Sequence, residues 1–185
     1  VAWLATNAEY ERALEDVVRV KANQQVLVAE EDVSDDFSRE PVAVFHETPA
    51  VLTVDAPAWE ARVRRYSKAF AGYPEILESS VTLLASAETR YLTNSEGASV
   101  QVARTHGRVE ITASTTADDG MRLERTETAD APSVDALPKD EVVTGLVQKV
   151  ITDLLALRKA PTTEPYAGPA ILDGRAAGVF FHEIF

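Results

Sequence analysis

The chain of 185 residues contains three histidines and no cysteine. Any metal ligand or nucleophile it offers is therefore a nitrogen or oxygen donor, and disulfides and thiolate zinc sites are excluded. The residues best placed for chemistry are His182 and Glu183, in the stretch Gly178-Val179-Phe180-Phe181-His182-Glu183-Ile184-Phe185. An imidazole can ligate a metal ion, and a neighbouring carboxylate that is not a ligand can take a proton from water. The bulky apolar residues before the pair would give it a dry wall. On chemistry alone the pair is weak, because His-Glu dipeptides arise by chance and one imidazole with one carboxylate does not make a zinc site.

The other two histidines offer less. His46 also precedes a glutamate, but Thr48-Pro49 breaks any helix there, so it reads as a surface or strand histidine. His106 precedes Gly107 and reads as a turn or strand-end residue. Asp32, Asp35 and Asp36 invite comparison with a calcium loop, but the spacing lacks the central glycine and terminal glutamate of an EF-hand, and a solvated acidic loop is expected. With 30 acidic and 18 basic residues the net charge is -12, so the average field repels phosphate backbones and anionic membranes, and no nucleic-acid partner is expected. Arg62, Arg64 and Arg65 form the densest basic patch and read as the wet face of a helix. No apolar run approaches the roughly 20 residues needed to span a bilayer, and no membrane association is expected.

These residues must be held by elements that the hydrophobic period reveals. Tyr10, Leu14, Val17 and Val18 recur at helical spacing and predict a helix from about Thr6 to Lys21 with a stripe for a core. A second helix is predicted from Pro57 to about Gly72, with Trp59, Val63, Tyr66 and Phe70 on one face and Pro74 beyond its end. From Ile76 the period changes to two. Val81, Leu83 and Ala85 alternate with polar residues, as do Val100 and Val102 after the turn Asn94-Ser95-Glu96-Gly97. Val109, Ile111 and Ala113 continue the pattern, followed by Asp118-Asp119-Gly120 and a further run at Met121 and Leu123. Val143, Val147, Val150, Leu154 and Leu157 predict a long helix that covers the apolar face of this sheet, ended by Pro161. A short apolar strand at Ala170 to Leu172 and an N-cap at Asp173 then introduce a final helix that contains His182 and Glu183. The fold class predicted is α+β, an antiparallel meander of three to five strands against two or three long helices. Residues 1–160 are expected to form a scaffold domain, and 161–185 a strand and the start of the helix that carries His182 and Glu183.

"RYLTNSEGASVQVARTHGRVEITASTTADDG" and "LRKAPTTEPYAGPAILDGRAAGVFFHEIF" resemble the TldD/PmbA family, zinc-dependent peptidases and their inactive homologues, also called modulators of DNA gyrase. The resemblance runs from about Glu75 onward and, more loosely, takes in "WLATNAEYERAL" and "DDFSRE". Its specific parts are the turn after Tyr91 and the Tyr166 to Leu172 segment that leads into the His-Glu helix. The family motif is His-Glu-x-x-x-His, and the resemblance implies His182 as the first zinc ligand and Glu183 as the general base. The second histidine and the later ligand have no counterpart here. The resemblance therefore implies a piece of a metallopeptidase cut inside its motif, inactive and free of zinc by itself, whose parent binds zinc, cleaves unfolded or small peptides and pairs as a homo- or heterodimer with a family member. The absence of an initiator methionine and a start inside a helix also read as a cut end, and a cytoplasmic location is expected. Two histidines five positions apart lie about 140° apart on a regular helix, so such a motif also needs a helix end or distortion to converge on one ion.

Two alternatives stand beside the peptidase. One is a non-catalytic homologue or assembly module that pairs with an active subunit. The other is an isolated acidic α+β domain of unrelated ancestry, which predicts Phe180, Phe181 and Phe185 buried in its own core.

Overall fold

A computed structural model describes residues 2–24, 38 and 40–185. The chain packs as two units, Val1–Val42 and Ala43–Phe185. Helix α1, Ala2–Gln24, belongs to the first and extends beyond the predicted span at both ends. Tyr10, Leu14, Val17 and Val18, predicted to face a core, are exposed. Among the described residues of this unit no second helix or strand covers the stripe. Asp32, Asp35 and Asp36 lie outside the described residues.

The second unit is an α+β body. Its elements are strand β1 (Val44–His46), helix α2 (Ala56–Ser67), strands β2 (Glu78–Thr93), β3 (Ser99–Thr116) and β4 (Arg122–Ala131), and helices α3 (Asp140–Arg158) and α4 (Gly174–Ile184). A 3₁₀ turn, Lys68–Gly72, finishes the segment that the pattern assigned wholly to the second helix. Strand β3 is the spine. It pairs along its length with β2 in antiparallel register, from Glu78 opposite Ser114 to Thr93 opposite Ser99. On its other side the second half of β3 carries β4, also antiparallel, and its first residues carry β1 in parallel. The sheet is therefore mixed, and the parallel strand was not foreseen: three residues are too few to show a period. Both hairpin turns form as the sequence indicated. At the first, Asn94 Oδ1 accepts from the N–H groups of Glu96 and Ala98, and Gly97 takes the positive φ of 97° that the turn requires.

His106 and Gly107 are not in a turn. They sit in mid-strand, and β3 is one strand where a break was predicted. The glycine answers to packing: a Cβ at Gly107 would stand 3.1 Å from the backbone of Val134, where the 3₁₀ turn Val134–Ala136 crosses the sheet. The predicted strand at Ala170 to Leu172 is also absent. Ile171 is fully exposed, no neighbouring strand supplies ladder bonds, and without them an apolar tripeptide has no reason to stay in a sheet.

One apolar layer holds the body together. Val143, Val147, Val150, Ile151 and Leu154 of α3 pack on Val109, Ile111 and Ala113 of β3, Val81 of β2 and Ala129 and Ala131 of β4, with Trp59, Tyr66 and Phe70 completing the cluster. Spacings of three and four on α3 meet spacings of two on the strands, as an amphipathic helix over a half-wet sheet requires. Leu157, predicted to share the stripe, is 40% exposed at the end of the helix.

A polar clamp joins α2 to the start of α3. Arg62 Nε donates to Asp140 Oδ1 at 2.8 Å, while Arg65 and the Tyr66 hydroxyl donate to the same carboxylate. The Arg62 guanidinium also lies 3.8 Å from the centre of the Trp59 ring. The Tyr66 hydroxyl, and then the arginines, hold the Asp140 carboxyl below its ordinary range, and burial pushes the Tyr66 hydroxyl up. Arg62 is thus a half-buried tie, whereas Arg64 lies on the wet face as expected, paired with Glu60.

Leu154 is wholly buried, so Leu154→Ala should cost about 2 to 5 kcal/mol in urea unfolding, while Leu157→Ala should cost under about 1 kcal/mol.

Candidate functional site

Helix α4 begins where Asp173 Oδ1 accepts from the Ala176 N–H at 2.9 Å, the cap predicted for it. The segment before it is neither helix nor strand, and Pro169 and the Gly168 bend discourage a helix there. One ion pair ties the first turn of α4 to the body: Arg175 reaches Glu127 of β4 at 3.1 Å. Glu127 also accepts from Lys149 of α3 at 2.8 Å, and its side chain is only 12% exposed. The Lys149 ammonium, assisted by Arg175, holds the Glu127 carboxyl below its ordinary value, against the opposing effect of burial.

Further along α4 the apolar side chains find no cover among the described residues. Phe180 and Phe181 meet edge to face at 5.5 Å, and Phe181 and Phe185 stack at 6.2 Å. All three are exposed, with Val179 and Ile184. The isolated-domain reading required these rings to be buried, and they are not. Together these side chains form an uncovered apolar surface on α4.

His182 and Glu183 occupy the last turn of α4, both exposed. Consecutive helical residues project about 100° apart, so the two groups address different directions and suit different roles. Nothing else in the described chain converges on them. His46 Nε2 is 2.9 Å from Ser99 Oγ, where β1 meets β3, and His106 Nε2 is 3.0 Å from Asp130 Oδ1 across β3 and β4. No group of three histidine or carboxylate side chains able to hold a metal ion occurs among the described residues. A tetrahedral zinc site needs three protein donors or more, and His182 with Glu183 supplies one ligand and no second. The pair does not fit a zinc ion by itself. Clefts of about 220, 460 and 160 Å3 along the sheet have no α4 residue in their walls.

Sequence reasoning missed Glu127, although a signal was present. Glu127 shares the inward parity of Ala129 and Ala131, and a carboxylate on the helix-covered face of a strand needs a cation. The same parity holds for Arg125, which pairs with Asp153 of α3.

No family model, curated protein or solved structure matches the chain. Among the described residues no helix is long and apolar enough to cross a membrane.

Two outcomes follow from this geometry. Calorimetric titration of the chain with zinc should give no tight one-to-one binding, and a tight stoichiometric site would contradict the donor count. The folded pKa of Glu127 is depressed, so its contribution to stability is present above about 4.5 and is lost as pH falls through the folded value. Glu127→Gln should therefore lower stability at neutral pH and make the acid limb of a pH-dependent urea series shallower.

Proposed function

We propose that the chain is the scaffold portion of a zinc-dependent metallopeptidase of TldD/PmbA type. In this reading His182 is one zinc ligand and Glu183 the general base, and the remaining donors come from outside the described residues. The observation that carries the proposal is the capped helix α4, which presents an adjacent His-Glu pair beside an uncovered aromatic surface. The resemblance in "EPYAGPAILDGRAAGVFFHEIF" adds to it. An exposed pair next to exposed rings suits a site completed by a second apolar body, since covering the rings would also exclude water from the imidazole and carboxylate.

The division of labour follows from the geometry. The body fixes α4 at its first turn through Glu127 and Arg175, and α4 carries the two functional groups to its far end. Unfolded or small peptides are the proposed substrates. Pairing with a second family member and a cytoplasmic location belong to the same reading. The acidic balance of the chain argues against direct binding of nucleic acid.

A second reading is a non-catalytic assembly or peptide-binding module that serves an active subunit, for which the uncovered aromatic surface of α4 would be the contact. Glu183→Gln separates the two in the full gene product that carries this chain. The peptidase reading expects hydrolysis of an unstructured peptide to fall by about a hundredfold or more while bound zinc is retained. Unchanged hydrolysis would remove Glu183 from the chemistry, and a full product without zinc or hydrolysis would favour the module.

A further inference from the structure

The open edge of the sheet at β2 offers a second surface. At the start of β3 the Ser99 N–H donates to the Ala43 carbonyl and the Gln101 carbonyl accepts from the Glu47 N–H, so odd-numbered residues there turn their backbone groups toward β1. Even-numbered residues of β3 turn toward β2, where Val100 stands opposite Leu92 and Val102 opposite Arg90. The even residues of β2 therefore fill the ladder. Ser79, Val81, Leu83, Ala85, Ala87 and Thr89 direct their N–H and C=O groups outward, and among the described residues no strand pairs with them. Such a row is a template for another strand.

Edges that stay open are protected by charge, proline or bulges. The outer strand β4 follows that rule, with Arg122, Glu124, Arg125, Glu127 and Asp130 along its length. Strand β2 does not. It contains no proline or glycine, and from Ser79 to Ala87 it carries no charge.

We propose that this edge pairs with the same edge of a second copy of the chain, antiparallel about a two-fold axis at Leu84. In that register Ser79, Val81 and Leu83 of one copy stand opposite Thr89, Ala87 and Ala85 of the other, and these pairs exchange the N–H···O bonds. Glu78 stands opposite Arg90 at both ends, and Leu84, half exposed in the single chain, meets its own copy on the axis. Glu78 accepts from Ser114 and Arg122 through Oε2, which leaves Oε1 for Arg90. Moving the axis to Leu83 sets Glu78 against Glu88, and moving it to Ala85 sets Glu78 against Leu92. Charge complementarity thus selects the axis at Leu84. The inference rests on the pairing in the proposed function and not on its chemistry.

The chain has no native cysteine, which gives a direct test. Sedimentation equilibrium of the chain should return a dimer. Under mild oxidation Leu84→Cys should form an intermolecular disulfide, because opposed residues of a non-hydrogen-bonded antiparallel pair stand about 4.5 Å apart at Cα. Ser80→Cys, whose counterpart across the pair is Glu88, should not. Arg90→Glu should weaken association by about tenfold or more, and adding Glu78→Arg should restore it. A monomer throughout the micromolar range, equal linking of the two cysteine variants, or an Arg90→Glu dimer of undiminished affinity would overturn the proposal. None of these measurements reads hydrolysis: a monomeric chain overturns this inference and leaves the Glu183 test on the full gene product untouched, while a full gene product that fails that test leaves the dimer edge standing.

Discussion

The body of this protein depends on one dry layer, the contact of α3 with the covered face of the sheet. Val143, Val147, Val150, Ile151 and Leu154 are almost wholly removed from water there, as are Val109 and Ile111 beneath them. Burial of such side chains contributes about 1.5 to 3 kcal/mol each before the entropy of ordering is set against it. No other layer in the second unit offers comparable burial. The 3₁₀ turn at Val134 lies close over Gly107, where a Cβ would stand 3.1 Å from its backbone. α2 is fastened to the same layer from above by Trp59 and Tyr66 and from the side by Asp140.

The polar groups around this layer orient its parts and add little cohesion. Asp140 collects Arg62, Arg65 and Tyr66 and so sets how α2 meets the start of α3. Glu127 does the same for α4, but with a difference that bears on function. α2 is held by buried rings as well as charge, whereas α4 has no buried residue and is tied at its first turn by Arg175. A helix held in that way is among the first elements to open locally, and its far end carries His182 and Glu183. In the proposed function the fold delivers the pair, and the completion of the site and the cover for Phe180, Phe181 and Phe185 would fall to another body.

How much of this could be read from the sequence varied with how local each signal is. The stripe of α3, the cap at Asp173 and the turns at Asn94 and Asp118 are written in neighbouring residues, and all formed where they were expected. The break expected at His106-Gly107 failed because the glycine serves a contact with Val134, distant in sequence, and local reading cannot tell such a glycine from one in a turn. The parallel β1 and the missing strand at Ala170 have a common cause: whether a three-residue segment pairs depends on a partner strand elsewhere. In the candidate site, the helix that carries His182 and Glu183 and its cap at Asp173 were legible from residue type and spacing. Glu127, which ties that helix to the sheet, is harder to read, because a carboxylate on a strand ordinarily faces water and its cation partners Lys149 and Arg175 lie distant in sequence.

The packed body is complete without α4, which carries His182 and Glu183 on a weakly held helix. Amide hydrogen exchange of the chain, followed residue by residue, tests this most directly. The account predicts exchange through global unfolding for the amides at Val109, Ile111, Val147 and Ile151, and far faster exchange from Val179 to Ile184. Protection of the α4 amides equal to that of α3 would contradict it.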